Sequence, residues 1–200
     1  MVTPSRRETV LGACERLLHR YGPNKTTMQD VAKEARIAVG SVYLEFNSKE
    51  AILEELSSRK HDSVLQAIAR GLAGDGPYAE RLRRALDART EAYLSIAKDG
   101  AHACELVQCS RDGVQTAQQR FRSAEHNLFC ELLRAGANAG ELDVDKPELV
   151  TRVVLIAYAR FTPPWLFLSP REESLGLLRG LHEVVLQGLV VRDGRRKRGR

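Results

Sequence analysis

Apolar residues recur along this chain every three or four positions, almost from end to end, which is the spacing of one face of an α-helix. Val10, Leu11, Cys14, Leu17, Leu18 and Tyr21 form the first stripe, after a Ser5…Glu8 pair in capping-box form. Gly22 and Pro23 stop it. Thr27 predicts the cap of a second helix, with Asp30 set against its positive end and Met28, Val31, Ala32 and Ala35 as its stripe. After a turn at 36–38 a third helix is expected over 39–46. Asn47, with Glu50 three residues later, predicts the cap of a fourth that runs from about 48 to 72. Further helices are expected from the break at 73–78 to about 98, at a short segment 101–110, over 113–136, from Pro147 to about 161, and from a start at "SPRE" (169–172) to the end of "VVLQGLVV". "TPP" at 162–164 must kink or end the one before it. No stretch alternates with period two and no internal repeat is found. The pattern predicts an all-α protein of about nine helices.

Residues 27–46 are set apart by how little separates two short helices. Two helices of one to three turns across three or four residues is the grammar of a helix-turn-helix. In that motif the second helix enters the major groove of DNA and its leading residues reach base edges. Gly40 and Ser41 permit the close backbone approach this needs, and Ser41 adds a hydrogen-bonding hydroxyl. Val39 offers a methyl surface for thymine. Val42 and Phe46 are expected to point inward, and Tyr43 to reach a phosphate from the flank. Lys49 combines a positive charge with free N–H groups at a helix start. Lys25, Thr26 and Thr27 are placed to grip the backbone on the other side. Spacing alone leaves open an αα-hairpin that is merely part of the core.

The segment "TTMQDVAKEARIAVGSVYLEFNSKEAIL" (26–53) resembles the DNA-binding domain of the TetR family of bacterial transcriptional regulators, and the resemblance extends over about residues 7–56. It rests on the Thr-Thr opening, the small residue–Val–Tyr–x–x–Phe core and the Ser-Lys-Glu that begins the fourth helix. It implies a three-helix helix-turn-helix domain (1–50), joined by a long helix to a helical ligand-binding and dimerisation domain (51–191), with a basic tail after it (192–200). The expected function is a transcriptional regulator, commonly a repressor, that binds a near-palindromic double-stranded operator as a homodimer and is released by a small-molecule effector. The last two long helices, apolar over more than one stripe, are the expected dimer surface. Two departures bear on the site. Arg36 stands where the family often has glycine, so the turn is either strained or wound differently. Leu44 and Glu45 stand where His, Arg or Tyr are common: Leu44 cannot bond a phosphate, and Glu45 repels DNA unless it pairs with a basic side chain or reads a cytosine amine.

Composition narrows the rest. The net charge of +5 sits in the tail: residues 1–60 carry +2, 61–191 carry −2 and 192–200 carry +5, so global charge is weak evidence for a nucleic-acid partner. The tail's composition predicts disorder and either added phosphate contacts or a solubilising end. No apolar run approaches the roughly 20 residues that span a bilayer, and no leader-like segment opens the chain, so no membrane partner and a cytoplasmic location are expected. Candidate effector-pocket residues are Tyr93, His102, Cys104, Cys109, Phe121, His126, Phe129, Phe161 and Trp165, most of which fit equally well as plain core. His126 and Cys130 share a helical face, and with His102, Cys104 and Cys109 they raise a second reading. In it the chain is a helical small-molecule-binding or thiol- or metal-sensing protein with weak or lost DNA binding. The four cysteines form no CxxC, which favours free thiols, and no metal or cofactor is expected. No GxSxG, P-loop, HExxH or dinucleotide fingerprint occurs and the five histidines are dispersed, so the chain is not expected to be an enzyme.

Overall fold

Ser5 accepts a hydrogen bond from the Glu8 amide (3.2 Å) and starts helix α1, Arg6–Tyr21, in a computed structural model that describes residues 4–98 and 102–190. Seven more α-helices follow: α2 (Met28–Ala35), α3 (Val39–Glu45), α4 (Lys49–Leu72), α5 (Tyr78–Ala97), α6 (Asp112–Asn138), α7 (Pro147–Ala157) and α8 (Arg171–Leu189). Among the described residues the only β-pairing is an isolated bridge between Leu142 and Val190. Among the described residues the fold is all-α with eight α-helices rather than about nine, because the described part of the segment near 101–110 contains a 3-10 turn, Ala103–Leu106, and no α-helix. The basic tail 192–200 lies outside the described residues.

Local chemistry accounts for several helix ends. α4 is capped by Ser48, whose hydroxyl accepts from the Ala51 amide (3.2 Å), and not by the expected Asn47. α7 carries Pro147 in its first turn, where no amide is needed, and ends in a 3-10 turn, Tyr158–Phe161, before the two prolines. Ser169 does not cap α8; its hydroxyl accepts from Arg160 instead (2.6 Å).

The described residues form two compact units: residues up to 63 with 94–121, and residues 64–93 with those from 122 onward. The chain therefore does not divide by one cut after residue 50. The first unit has one core. Val10, Leu11, Cys14 and Leu18 of α1 meet Met28, Val31 and Ala32 of α2, Val42 and Phe46 of the third-helix region, and Ile52, Leu53 and Leu56 of α4. Leu106 and Val114 belong to the same cluster. Gly113 lets α6 lie against α4: its amide donates to the Glu50 carboxylate (3.2 Å), and a Cβ there would overlap the Glu50 carbonyl.

In the second unit, Gly71 allows α4 to touch the α5 backbone at Ala85. Its interior holds Leu82, Leu86, Phe129, Leu133, Tyr158 and Leu178, together with a buried ion pair. The Arg89 guanidinium donates to both carboxylate oxygens of Glu125 (2.6 and 3.3 Å) and reaches the Tyr158 carbonyl (3.4 Å). Beside it, the Tyr158 hydroxyl meets His182 Nδ1 (2.8 Å) and His182 Nε2 meets Asp87 (2.8 Å), so every polar end finds a partner.

Candidate nucleic-acid interface

The helix pair α2–α3 is fixed at both ends of α2. Thr27 and Asp30 form a reciprocal capping box: the Thr27 hydroxyl accepts from the Asp30 amide (3.2 Å), and the Asp30 carboxylate accepts from the Thr27 amide (2.9 Å) and hydroxyl (2.6 Å). These bonds hold the Asp30 carboxyl below the usual carboxylate range, the hydroxyl contact contributing most. At the other end Arg36 is left-handed (φ 56°, ψ 42°), and the Ile37 amide returns to the Ala32 carbonyl (3.0 Å). The strained alternative for this position is therefore the one adopted, at a cost on the order of 1–3 kcal/mol for a residue with a side chain. What it gains is a turn of three residues, 36–38, short enough to set α3 directly after α2.

α3 turns Val42 (0% exposed) and Phe46 (3%) into the core and the rest outward. Val39 is 37% exposed, Tyr43 49% and Leu44 79%. Gly40 is exposed, and a Cβ placed on it would have nothing within 4 Å. Ser41 is half-buried. The helix thus presents a slim edge, with its anchor behind it. The start of α1 clamps its far end: Arg7 lies over the Phe46 ring (4.0 Å), donates to the Glu45 carbonyl (2.8 Å) and pairs with Glu55. Arg59 adds bonds to Glu8 and Glu55. Arg6 stands 3.9 Å from the Glu45 carboxylate. The acid that would repel DNA therefore has a basic partner within its own unit.

The flanking residues divide. Thr27 and Lys25 are exposed, and Lys25 lines a cleft of about 470 Å³ with Tyr21 and Lys33 among its other walls. Thr26 is buried, and its hydroxyl donates to the Gly22 carbonyl (3.0 Å), so it braces the turn rather than facing outward. Lys49 is also turned inward: its ammonium donates to the carbonyls of Pro23 (2.9 Å) and Thr26 (3.0 Å). Its pKa is lowered, chiefly by burial and next by the charge of Arg111. The phosphate contact expected of the Lys49 and Thr26 side chains does not fit these bonds. Arg6, Arg7 and Lys33 were not expected at the site. Arg6 and Arg7 act across about forty residues of sequence, which no local spacing reveals.

The effector-pocket candidates fall in both units. His102, Cys104, Cys109 and Phe121 belong to the first unit. There His102 pairs with Glu105 (2.5 Å) beside Gly22, Cys109 packs on the core, and Phe121 stacks on His61 (4.7 Å between centroids). Tyr93, His126, Phe129, Phe161 and Trp165 belong to the second. Tyr93, Phe129 and Phe161 are buried, whereas Trp165 is 57% exposed. A cleft of about 330 Å³ in that unit is lined by Leu72, Tyr78, Arg81, Leu128, Glu131 and Leu132 among others, and by none of the candidates. Burial pushes the Cys14 thiol up to about 12 and raises Cys104 and Cys109, the opposite of an activated thiolate. All four cysteines are free, and among the described residues no three His, Cys, Asp or Glu side chains are placed to hold a metal ion. No described helix is long and apolar enough to cross a membrane.

A capped helix, a tight left-handed turn and a short exposed helix on a common core define the helix-turn-helix class. Residues 10–56 match the family model described as bacterial regulatory proteins, tetR family. An uncharacterized HTH-type transcriptional regulator of Haemophilus influenzae is 31% identical over 77 residues, 38% of this chain and 41% of its own length. The HTH-type regulator YhgD of Bacillus subtilis is 24% identical over 86% of this chain and 92% of its own length. Among solved structures, the regulator FadR of Bacillus subtilis in complex with stearoyl-CoA superposes with a TM-score of 0.70 at 17% identity, covering 90% of this chain and 98% of that one. The likeness to the TetR family of bacterial regulatory proteins is thus carried by residues 10–56, and the relatives are named as HTH-type transcriptional regulators.

Proposed function

We propose that this protein is a cytoplasmic repressor that binds a near-palindromic operator as a homodimer and is released by a small molecule. The observation that carries the reading is the outward edge of α3, where Gly40 has open space around it and Val39, Ser41 and Tyr43 flank it while Val42 anchors the helix. One such helix contacts few bases, so specificity requires a second copy placed by twofold symmetry. The second unit supports pairing through α7 and α8. Leu149, Val153 and Ile156 form an exposed apolar stripe along α7, and Leu177 and Val184 along α8 stand among glycines 176, 180 and 188, which have open space around them. In this reading the first unit binds DNA, with Lys25, Thr27 and Tyr43 near phosphates. Lys49 and Thr26 act indirectly, by bracing the turn before α2. The second unit dimerises and receives the effector, as a small molecule bound to the related FadR structure supports. The switch is a population shift in which each tenfold loss of operator affinity needs about 1.4 kcal/mol of differential effector binding.

The test is a mobility-shift assay with genomic fragments, comparing the native protein with Gly40→Glu. The variant should keep its thermal melting profile, because Gly40 is exposed and a Cβ there meets no protein atom within 4 Å, and lose specific retention. Unchanged affinity in that variant refutes the docking of α3.

A further inference from the structure

We infer that Leu44 reads sequence, by packing against the C5-methyl group of thymine in the major groove. This rests on the operator-binding reading above and adds one specificity determinant to it. Successive residues of an α-helix are turned by about 100°. On α3 the buried Val42 and Phe46 mark the direction of the core, and the side chain that falls most nearly opposite both is Leu44, with Gly40 beside it one turn earlier. The observed burial agrees, since Leu44 is the most exposed large apolar side chain among the described residues. Val39 lies closer to the core side of the helix and is half as exposed, which makes it the lesser candidate for a methyl contact.

A lone exposed leucine is ordinary on a protein surface. This one lies on the edge of α3 opposite its two anchors, beside Gly40, which adds no side chain there. Glutamine, lysine or arginine would serve the helix as well by propensity and would suit water or phosphate better. Leucine has no donor or acceptor, so in the groove it gains only from an apolar partner. Thymine's methyl is the one apolar group that base pairs display on the major-groove edge. Opposite a cytosine amine or a guanine carbonyl the same side chain would strip water and return no hydrogen bond. It therefore favours thymine and disfavours the alternatives. Glu45, next in sequence, is held by Arg6 and does not compete for that position.

The test selects binding duplexes from a random pool with the native protein and with Leu44→Ala. The substitution touches no core residue, and a thermal melt confirms that it folds. Deoxyuridine then replaces thymidine at each preferred thymine of the selected duplex, which deletes only the methyl group. The native protein should select a thymine in each half-site. It should lose about fourfold in affinity per uracil at that position, or about fifteenfold when both half-sites carry it, as expected for one buried methyl each. Leu44→Ala should accept any base there and respond to uracil by about twofold or less. The inference is overturned if the thymine preference persists in the variant, or if uracil costs both proteins equally at every position. If the native protein enriches no sequence at all, the operator-binding reading itself fails. Enrichment that ignores Leu44 defeats only the present inference.

Discussion

Lys49→Met separates bracing from phosphate binding. Methionine keeps the length and apolar stem of the lysine and deletes the ammonium that joins the Pro23 and Thr26 carbonyls. A hydrogen bond from a charged donor contributes about 1.5–3 kcal/mol when buried. Lys49 is only half-buried, so water recovers much of that, and the loss expected for the pair is about 1–2 kcal/mol. Urea denaturation should show that loss with an unchanged slope against denaturant. The turn that ends in the Thr27 cap then loosens, and operator affinity falls with it. The salt dependence of binding, measured by fluorescence anisotropy from 50 to 200 mM salt as log affinity against log salt, should keep its slope, because no phosphate contact is lost. A cation that touched phosphate would behave differently: the slope would drop by about 0.9 per protomer while stability stayed put. That outcome would refute the inward role read from the two hydrogen bonds.

Two other changes probe the second unit. Glu125→Ala should destabilise the protein by about 3–5 kcal/mol by leaving the Arg89 charge buried without its partner, whereas Arg89→Met with Glu125→Leu should regain most of it; a double variant as unstable as the single one in thermal melting would contradict this. Ile156→Glu combined with Val184→Glu places charge on the exposed stripes of α7 and α8 and should yield monomers in sedimentation that bind operator weakly. A dimer that survives both changes would assign pairing to another face.

What the sequence disclosed was mostly local. Thr27 announced the cap of α2 with Asp30 at its positive end, the stripes of α1 and α2 announced the core, and the 36–38 turn announced a closely set third helix. Each is written within four or five residues, the range over which helix spacing and capping act. Arg36 shows the limit of such reading: the sequence posed two alternatives, and only the observed φ of 56° chose between them. The neutralisation of Glu45 by Arg6, the hold of Lys49 on Pro23 and Thr26, and the entry of Leu106 and Val114 into the first core all join residues far apart in the chain. Nothing in their immediate neighbours marks them. The candidate effector residues divide between the two units for a related reason. Aromatic and sulfur-bearing side chains on helical stripes are what any core uses, so composition could not say which core each one fills.

The first core is completed by side chains that arrive more than forty residues after its last α4 contributor. A fragment ending at residue 63 would keep the reading head intact in sequence and still lack one wall, leaving the sites that Leu106 and Val114 fill open to water. Transplanting this helix-turn-helix onto another scaffold therefore means moving a discontinuous piece, with 94–121 carried along or its apolar footprint redesigned.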